Sequence, residues 1–548
     1  MKHVRSLLPY VPYLVLSLLV LGPLLLPGFV LTMDMVFTPV LRMPDHVDNT
    51  WLFYALLHVL NFVLPADVIE KTMLLAALML SGIGAHRILR LLRPSGEKYV
   101  TLAIYIASAF YMINPFVYDR FMSGQYGVVL GYSLLPWFAV SLKKFVHQPG
   151  WRSVLPLTGW TIAMSIVSIH SLGWVAILAL CALAMYARDR RRLQNILKFG
   201  AAGLIIFAIM GAYWILPTVV GQGRIANSLS TFSGSERQAF ATVDPNGTTE
   251  LGAVLGLQGF WQETVGLFIV PIDATPQWGW VQVLLLVTIG CGVWRAWKSQ
   301  RRLALYATSV STIAIFLSLG IGGEWLATHV PFFAGFREPQ KFVAIIALMY
   351  VYFMMEGVSW LLARTVLWRK LTLYPAAAAA LLMVLAYTSP MLWGFYGQIQ
   401  PVRYPDDWSA MNRVLNQQPN SGTVLFLPWH LYMSFNFSGR IIANPAANFF
   451  DRAIVSSDDP EVAGVAPQTR NPTRERIQQT ILPAAARGEP VMDQLRALGI
   501  GYVLLDKDLN WRDYTWLDHQ SGSELVQETT SLKLYKLTND TIGLHEDN

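Results

Sequence analysis

Asp34 is the first residue of this sequence whose type and position together suggest chemistry. It follows the first long apolar run, residues 7–33, so we expect it at membrane depth on the far side of the bilayer. A carboxylate at that depth is energetically costly and by default indicates a functional site, for example a general base. The alternative is that Asp34 caps the end of a helix.

Further charged residues follow Asp34 in the same loop. Arg42 could bind an anion, and Asp45 and Asp48 are alternative candidates for the base. Behind them lies the apolar stretch 51–64, which is too short to span a bilayer and is typical of an in-plane or buried helix.

The stretch 114–127, Asn-Pro-Phe-Val-Tyr-Asp-Arg-Phe-Met-Ser-Gly-Gln-Tyr-Gly, joins two apolar runs. Pro115 should end one helix, and Gly124 and Gly127 allow the backbone to approach a neighbour closely. Its side chains with binding potential are Asp119, Arg120 and Gln125.

The stretch 336–342, Phe-Arg-Glu-Pro-Gln-Lys-Phe, opens another apolar run. A guanidinium can bind phosphate through two hydrogen bonds, and a helix N-terminus adds its own preference for anions. Arg337 and Lys341 are therefore candidate phosphate ligands, although Arg120 and Arg337 could equally be interfacial anchors. Glu338 and Gln340 are candidate substrate contacts.

Two isolated residues complete the set of candidates. His170 lies between two apolar runs and could contact an anion or act as a base, but it could also be a structural histidine. Trp429 lies in an aromatic and polar stretch suited to stacking on a sugar, or it could belong to a hydrophobic core.

Composition identifies an integral membrane protein. The 548 residues are 54% hydrophobic and only 14% charged, whereas soluble proteins average about 25% charged residues. The net charge of +7 comes from basic residues grouped in particular loops, so nucleic acid is not an implied partner. The two cysteines lie in apolar runs and allow no disulfide framework.

Apolar runs predict a polytopic α-helical membrane domain over residues 1–394, with about eleven transmembrane helices. Nine or thirteen helices are the alternatives, because the two short runs around 168–171 carry the weakest signal. Loops rich in Lys and Arg alternate with acidic ones, which places the N-terminus in the cytoplasm and the C-terminus outside. The predicted spans are 9–32, 71–92, 99–116, 127–146, 153–169, 171–187, 198–219, 277–297, 303–322, 342–363 and 372–394.

Residues 395–548 have a mixed polar pattern that predicts an extracytoplasmic α/β domain. A helix should begin at Asp406, and two buried strands are expected at 423–427 and 502–506. Helices are predicted over 473–486 and near 491–498, and residues 524–537 alternate like a β-hairpin.

The arrangement resembles the GT-C superfamily of membrane glycosyltransferases, which use polyprenyl-phosphate sugars. The stretches 114–125 and 336–342 are similar to ones in prokaryotic members, and cell-wall arabinofuranosyltransferases in particular. The resemblance covers the membrane part. Many members have paired acidic residues in the first outer loop, whereas Met-Val-Phe follows Asp34 here.

The resemblance implies transfer of a sugar from a polyprenyl-phosphate donor to an extracytoplasmic glycan, lipid or protein acceptor at the plasma membrane. Asp34 would be the base, with Asp45 and Asp48 as alternatives, and the donor phosphate would be held by Arg337, Lys341, Arg120 and Arg42. No nucleotide site is required, and no cofactor is assigned; a divalent cation, Mg or Mn, held by the carboxylates is left open, since no ligand spacing argues for one. The alternative function is a non-enzymatic transporter or assembly factor for envelope polysaccharide or lipid.

The loop charges predict the orientation of the chain. A reporter that is active only in the cytoplasm, fused after Asn548, should stay silent because the positive-inside pattern places that end outside. The same reporter fused after residue 94 should be active, and strong activity at both positions would contradict the orientation.

Overall fold

The computed structural model describes residues 8–44, 46–223, 225–226, 234–330, 332–368, 372–419, 422–462, 465 and 471–538. The chain forms two compact units, and both are discontinuous in sequence. The first comprises Met1–Leu26, Met43–Val59 and Lys71–Ile399, and the second comprises Pro27–Arg42, Leu60–Glu70 and Gln400–Asn548. The predicted domain boundary at 394/395 stays a prediction, and the last segment of the second unit begins at Gln400.

The first unit is helical. The apolar stretch 51–64 contains the short helix Trp51–Asn61, in which Phe53 and Leu57 are buried. Its in-plane placement stays a prediction. The principal longer helices of the unit are Val11–Leu21, Ala66–Leu92, Lys98–Met112, Tyr126–His147, Trp151–Val167, Ser171–Met185, Arg190–Met210, Trp278–Ser299, Arg301–Ser318, Val343–Trp368 and Leu373–Tyr387. Its short helices are Pro115–Met122, Ala212–Val219, Gly234–Ala239, Glu250–Leu255, Pro271–Ala274 and Gly323–His329.

Each of the eleven predicted spans falls on a helix, but fewer helices are long and apolar enough to cross a membrane. Within the described residues there are seven such helices, or nine if two bent pairs each form one span. The bends are 92° after Ser318 and 76° after Tyr387. The difference arises because Trp151–Val167 and Ser171–Met185 are separated by a break at 168–170 and have only 17 and 15 residues. The chain is thus a multi-pass membrane protein.

Helix Val343–Trp368 is at the centre of the helical unit, and nearly all of its first 17 residues are buried. Glycine allows its closest contact, which is with Trp278–Ser299. A Cβ atom on Gly292 would clash with the Phe353 carbonyl, and one on Gly357 would clash with the Thr288 carbonyl. Small residues at such a crossing let two helix backbones touch, which favours packing inside a membrane.

The second unit contains a five-stranded sheet in the order β4-β1-β5-β7-β6. Strands β1, β4 and β5 are parallel to one another, and β7 pairs antiparallel with both β5 and β6. A separate hairpin is formed by β2 and β3. The strands are β1 Thr423–Leu427, β2 Tyr432–Phe435, β3 Arg440–Ala443, β4 Ile454–Val455, β5 Ile500–Asp506, β6 Ser523–Glu528 and β7 Leu532–Leu537.

The predicted elements of this unit are confirmed. β1 has the predicted bounds, β5 includes the predicted strand, and β6 with β7 forms the predicted hairpin. The predicted helices correspond to Asp406–Gln417, to the continuous helical segment made of Pro472–Arg476, Ile477–Ile481 and Leu482–Ala486, and to Met492–Ala497. The α/β class follows from these elements.

The N-terminal segment 27–42 is built into this unit by backbone pairing. Phe29 and Val402 exchange two backbone hydrogen bonds, of 2.7 and 2.9 Å. Gly28 has φ of +120°, and a Cβ there would lie 2.8 Å from the Val402 carbonyl oxygen, so the close approach requires glycine. The carboxylate of Glu70 accepts from the Val30 backbone N–H at 2.9 Å and holds the segment from another side.

Trp429 belongs to the hydrophobic core of the second unit and is 6% exposed. Its backbone N–H donates to the Tyr514 hydroxyl at 3.0 Å. Leu505 and Ile481 are members of the same cluster. The structure thus favours the core interpretation of Trp429 over sugar stacking.

We therefore expect Trp429→Ala to destabilise the protein by about 3–5 kcal/mol, because it removes a large buried side chain and leaves a cavity. Leu525→Ala is the control, since Leu525 is 46% exposed and should change stability by less than about 0.5 kcal/mol. The measurement is chemical unfolding of the purified protein in detergent, monitored with a spectroscopic probe that reports on the second unit. Equal stability of the two variants would contradict the core role.

Candidate active site

The short helix Pro115–Met122 holds two of the predicted site residues, and all its side chains are buried. Asn114 begins it: its side chain accepts from the Val117 backbone N–H at 3.3 Å, and Pro115 occupies the first turn, where a missing N–H costs nothing. Gly124 ends the segment with φ of +70°. A Cβ on Gly127 would lie 2.6 Å from the Val167 carbonyl, so this glycine does permit a close backbone approach.

Arg120 on this helix is completely buried and is surrounded by hydrogen-bond acceptors. Its Nη1 atom donates to Glu338 Oε2 at 2.7 Å and to Gln125 Oε1 at 2.7 Å, and its Nη2 donates to Gln340 Oε1. The guanidinium also lies 4.2 Å from the ring centroid of Phe260. A buried guanidinium is stable only with such partners, because an unpaired charge in this environment is very costly.

Glu338 connects Arg120 to a second cation. Its Oε1 atom lies 3.4 Å from Lys341 Nζ, and Lys341 Nζ in turn lies 3.1 Å from His170 Nε2. Burial alone would raise the pKa of Glu338, but the positive charges of Lys341 and Arg120 outweigh burial and hold that pKa below its ordinary value. The carboxylate is therefore ionised at neutral pH.

A pair of carboxyl groups lies on the other side of Arg120. Asp119 is fully buried, and it interacts with Glu263, which is 6% exposed. The other carboxylate oxygen of Glu263, Oε2, accepts from the Gly259 backbone N–H at 2.7 Å. Burial raises the pKa of Glu263, because removal from water disfavours the charged form of a carboxyl group.

The structure thus brings seven of the predicted site residues into one buried cluster, which we call the Arg120 cluster. Its members come from three separate stretches of the chain, and nothing in the local sequence indicated that they would meet. They are Asp119, Arg120, Gln125, His170, Glu338, Gln340 and Lys341.

Arg337 lies beside the Arg120 cluster but is far more open. Its side chain is 40% exposed, against 0% for Arg120 and 6% for Lys341. It lies 3.9 Å from Glu236 and 5.0 Å from the ring centroid of Phe240. Together with Arg237 and several aromatic side chains it lines a cavity of about 440 Å³. Among the predicted phosphate ligands of the helical unit, Arg337 is the most accessible.

Asp34 belongs to the second unit, at the exposed tip of a tight turn. Thr32 and Met35 exchange backbone hydrogen bonds of 3.0 and 2.7 Å, so Met33 and Asp34 are the two central residues of a hairpin turn. Met33 has φ of 40°, a left-handed conformation that costs a residue with a side chain about 1 kcal/mol.

The carboxylate of Asp34 is oriented by residues of the hairpin formed by β2 and β3. The Tyr432 hydroxyl donates to Asp34 Oδ1 at 2.5 Å. The turn is tied to β3, because the Ala443 N–H donates to the Met33 carbonyl at 2.9 Å. Asp34 is thus an acceptor that is held in place and open to solvent, and it is not the cap of a helix.

Two other predicted site residues, Arg42 and Asp48, have structural partners. Arg42 Nη2 forms an ion pair of 2.6 Å with Asp451, and its Nε donates to the Asn448 carbonyl at 3.0 Å. Asp48 Oδ1 accepts from the Thr50 N–H at 2.8 Å, just before helix Trp51–Asn61. Asp45 lies outside the described residues. The catalytic and phosphate-binding roles predicted for these residues stay predictions.

Three functional candidates were not identified as site residues from the sequence. Glu263 carries no local signature, because it is one of several acidic residues in outer loops. Tyr432 is separated from Asp34 by 398 positions. Glu356, in the middle of an apolar run, is fully buried and lies 3.2 Å from Arg93 and 3.9 Å from Arg295. An acidic residue within an apolar run could have been singled out on cost alone.

The described residues contain no group of three or more His, Cys, Asp or Glu side chains arranged to hold a metal ion. The sequence offered the same carboxylates without a ligand spacing. A divalent cation at this site therefore stays an open prediction.

The fold is that of the GT-C membrane glycosyltransferases, as the resemblance predicted. The chain superposes on the structure of arabinofuranosyltransferase AftD from Mycobacteria with a TM-score of 0.65, at 16% identity, covering 98% of this chain and 40% of that one. A mutant of AftD gives a TM-score of 0.60 at 14% identity, over 98% and 42%. At these identities the likeness establishes the fold, and the chain spans less than half the length of AftD.

An oligosaccharyltransferase from Archaeoglobus fulgidus also matches, over 98% of this chain and 74% of that one, at 11% identity. Its TM-score is 0.40, and no conclusion is drawn from it. No protein-family model matches the sequence, and no curated protein sequence matches it.

The buried ion pair in the Arg120 cluster should contribute to the stability of the protein. We expect Arg120→Met to destabilise the helical unit by about 3–5 kcal/mol, because it leaves the carboxylate of Glu338 buried with one partner fewer. Arg120→Met combined with Glu338→Leu should recover much of the loss. Arg337→Met, at a half-exposed cation, is the control and should cost far less.

The measurement is unfolding in detergent at several pH values. Because the folded-state pKa of Glu338 is lowered, its contribution to stability is present above the ordinary carboxyl pKa and is lost as the pH falls through and below that value. The Glu338→Leu double variant should lose less stability on acidification. A double variant as unstable as Arg120→Met at every pH would contradict the pairing.

Proposed function

We propose that this protein is a membrane glycosyltransferase that moves a sugar from a polyprenyl-phosphate donor to an extracytoplasmic acceptor. The observation that carries the proposal is the GT-C fold over 98% of the chain, together with a carboxylate, Asp34, that a hydrogen bond from Tyr432 orients. The neighbour of higher similarity, AftD, is an arabinofuranosyltransferase, so a pentofuranose is the first donor sugar to test.

The reaction needs a base for the acceptor hydroxyl, and Asp34 fits that role. Its side chain is exposed, and the Tyr432 hydroxyl and the strained turn fix its direction. Backbone strain next to a polar side chain is a feature that clusters at functional sites.

In the proposed step, Asp34 takes the proton of the acceptor hydroxyl as that oxygen forms a bond to the anomeric carbon of the donor sugar. The bond between the anomeric carbon and the phosphate oxygen breaks, and its electron pair leaves with polyprenyl phosphate. The protonated carboxyl then returns its proton to water. Positive charge near the leaving phosphate stabilises the transition state.

Arg337 is the cation we assign to the leaving phosphate. It is exposed, it lines a cavity, and its pairing with Glu236 at 3.9 Å is loose enough to be exchanged for a phosphate. Arg120 and Lys341 are committed to Glu338, and we assign them the role of fixing the 336–342 stretch that carries Arg337.

We expect Asp34→Asn to lower turnover by a factor of about 10²–10⁴, because asparagine cannot accept the proton. Tyr432→Phe should cause a smaller loss and should move the acidic limb of the pH–rate profile to higher pH, since it removes a donor to the charged form of the base. The measurement is release of free polyprenyl phosphate from labelled donors by the purified protein.

Two further variants distinguish the base role of Asp34 from a structural carboxylate and from a phosphate ligand. Asp48→Asn should keep turnover, because asparagine can accept the same hydrogen bond from the Thr50 backbone N–H. Arg337→Ala should weaken donor binding as well as turnover, because a phosphate ligand acts in the ground state too. If Asp34→Asn kept full turnover, Asp34 would not be the general base. Saturable donor binding without release of polyprenyl phosphate would favour the transporter or assembly factor.

A further inference from the structure

Another cavity lies at the end of the helical unit that carries the basic loops. Its volume is about 340 Å³, within the range of roughly 300–1,000 Å³ usual for small-molecule sites. It lies where Ala66–Leu92, Tyr126–His147 and Ser171–Met185 end and where Arg301–Ser318 begins. Most of the side chains that line it are aliphatic, and they come from all of these helices.

This cavity is separate from the one beside Arg337. Helix Arg301–Ser318 contributes Leu303 to the first and Leu317 to the second. Fourteen residues of helix between these positions correspond to roughly 20 Å at 1.5 Å per residue. A ligand in the cavity at the basic end would therefore not occupy the proposed donor site.

Three cations line the cavity: Lys143, Arg192 and Arg302. Arg192 is held against the rim, because its Nη2 atom donates to the His147 carbonyl at 3.2 Å and its guanidinium lies over the ring of Tyr186. Among the residues that the structure describes, none of the three cations forms an ion pair. The rim thus carries positive charge with no carboxylate partner.

The neighbouring carboxylate, Asp189, is engaged elsewhere. Its Oδ1 atom accepts from the Arg192 backbone N–H at 3.1 Å and so caps helix Arg190–Met210. Its side chain is exposed and does not line the cavity. The positive charge of the rim therefore remains available to a ligand.

We propose that this cavity binds an anionic phospholipid from the leaflet that faces the basic loops. An acyl chain would occupy the aliphatic wall, and the phosphate would lie between Lys143 and Arg302. Basic pockets between transmembrane helices are suited to anionic lipid head groups. A soluble anion would leave the aliphatic wall unused, and a neutral lipid would leave the three cations unpaired.

The test measures lipid binding by the full chain in detergent, by native mass spectrometry and by the shift in unfolding temperature. The probes are phosphatidylglycerol, phosphatidylcholine, polyprenyl phosphate and glycerol 3-phosphate. The variant is Lys143→Gln with Arg302→Gln. Its matched control is Lys144→Gln with Arg301→Gln, which removes the same charges from adjacent exposed positions outside the cavity.

We expect phosphatidylglycerol to bind the wild type and the control about equally, and the Lys143/Arg302 variant roughly tenfold more weakly or worse. Ala182→Phe, which fills the cavity and keeps every charge, should also lose binding, whereas phosphatidylcholine and glycerol 3-phosphate should bind weakly to all. Equal affinity in the variant and its control would overturn the site. A preference for polyprenyl phosphate over phosphatidylglycerol, or tight binding of glycerol 3-phosphate, would overturn its assignment to a phospholipid.

Discussion

The buried ion pair between Arg120 and Glu338 organises the polar centre of the helical unit. It joins stretches 218 positions apart, and its 2.7 Å length leaves little freedom to either side chain. Because a guanidinium has five donors in a rigid plane, Arg120 also fixes Gln125 and Gln340. Glu338 holds Lys341 in turn, and Lys341 reaches His170. Three separate segments are therefore oriented by one charged pair.

The second unit holds a solvent-exposed carboxylate, Asp34, in a fixed orientation. An exposed side chain on a loop is usually mobile, but Asp34 sits on a two-residue turn closed by hydrogen bonds on both strands. The turn is packed through Leu31 into the same hydrophobic cluster as Trp408. Preorganisation of this kind lowers the entropy that must be lost when a base meets its substrate.

Local sequence patterns predicted the helices and strands well, but they could not predict which residues distant in sequence would be in contact. Each apolar run became a helix because a membrane leaves the backbone few alternatives, and β1 was predicted to the residue from its β-branched and apolar pattern. Within the described residues, fewer helices are long and apolar enough to cross a membrane than the eleven predicted runs, because apolarity does not show where a short helix stops or where a helix bends.

The same limit applies to the site. Arg120 and Glu338 were both singled out for their types, but their contact depends on how two loops fold, and no spacing rule relates them. The pairing of Phe29 with Val402 was invisible for the same reason. Trp429 was ambiguous because a sugar-stacking site and a core use the same aromatic residues, and only burial distinguishes them.

The discontinuous second unit has a consequence for biosynthesis. Residues 27–42 are made hundreds of residues before their backbone partners at Val402 and Ile441. Because chains fold as they are synthesised, from the N-terminus onward, the segment that carries Asp34 must wait without these partners while the helices between are inserted. The oriented carboxylate forms only after Tyr432 has been made, so a chain that stalls before that position carries Asp34 without its Tyr432 hydrogen bond.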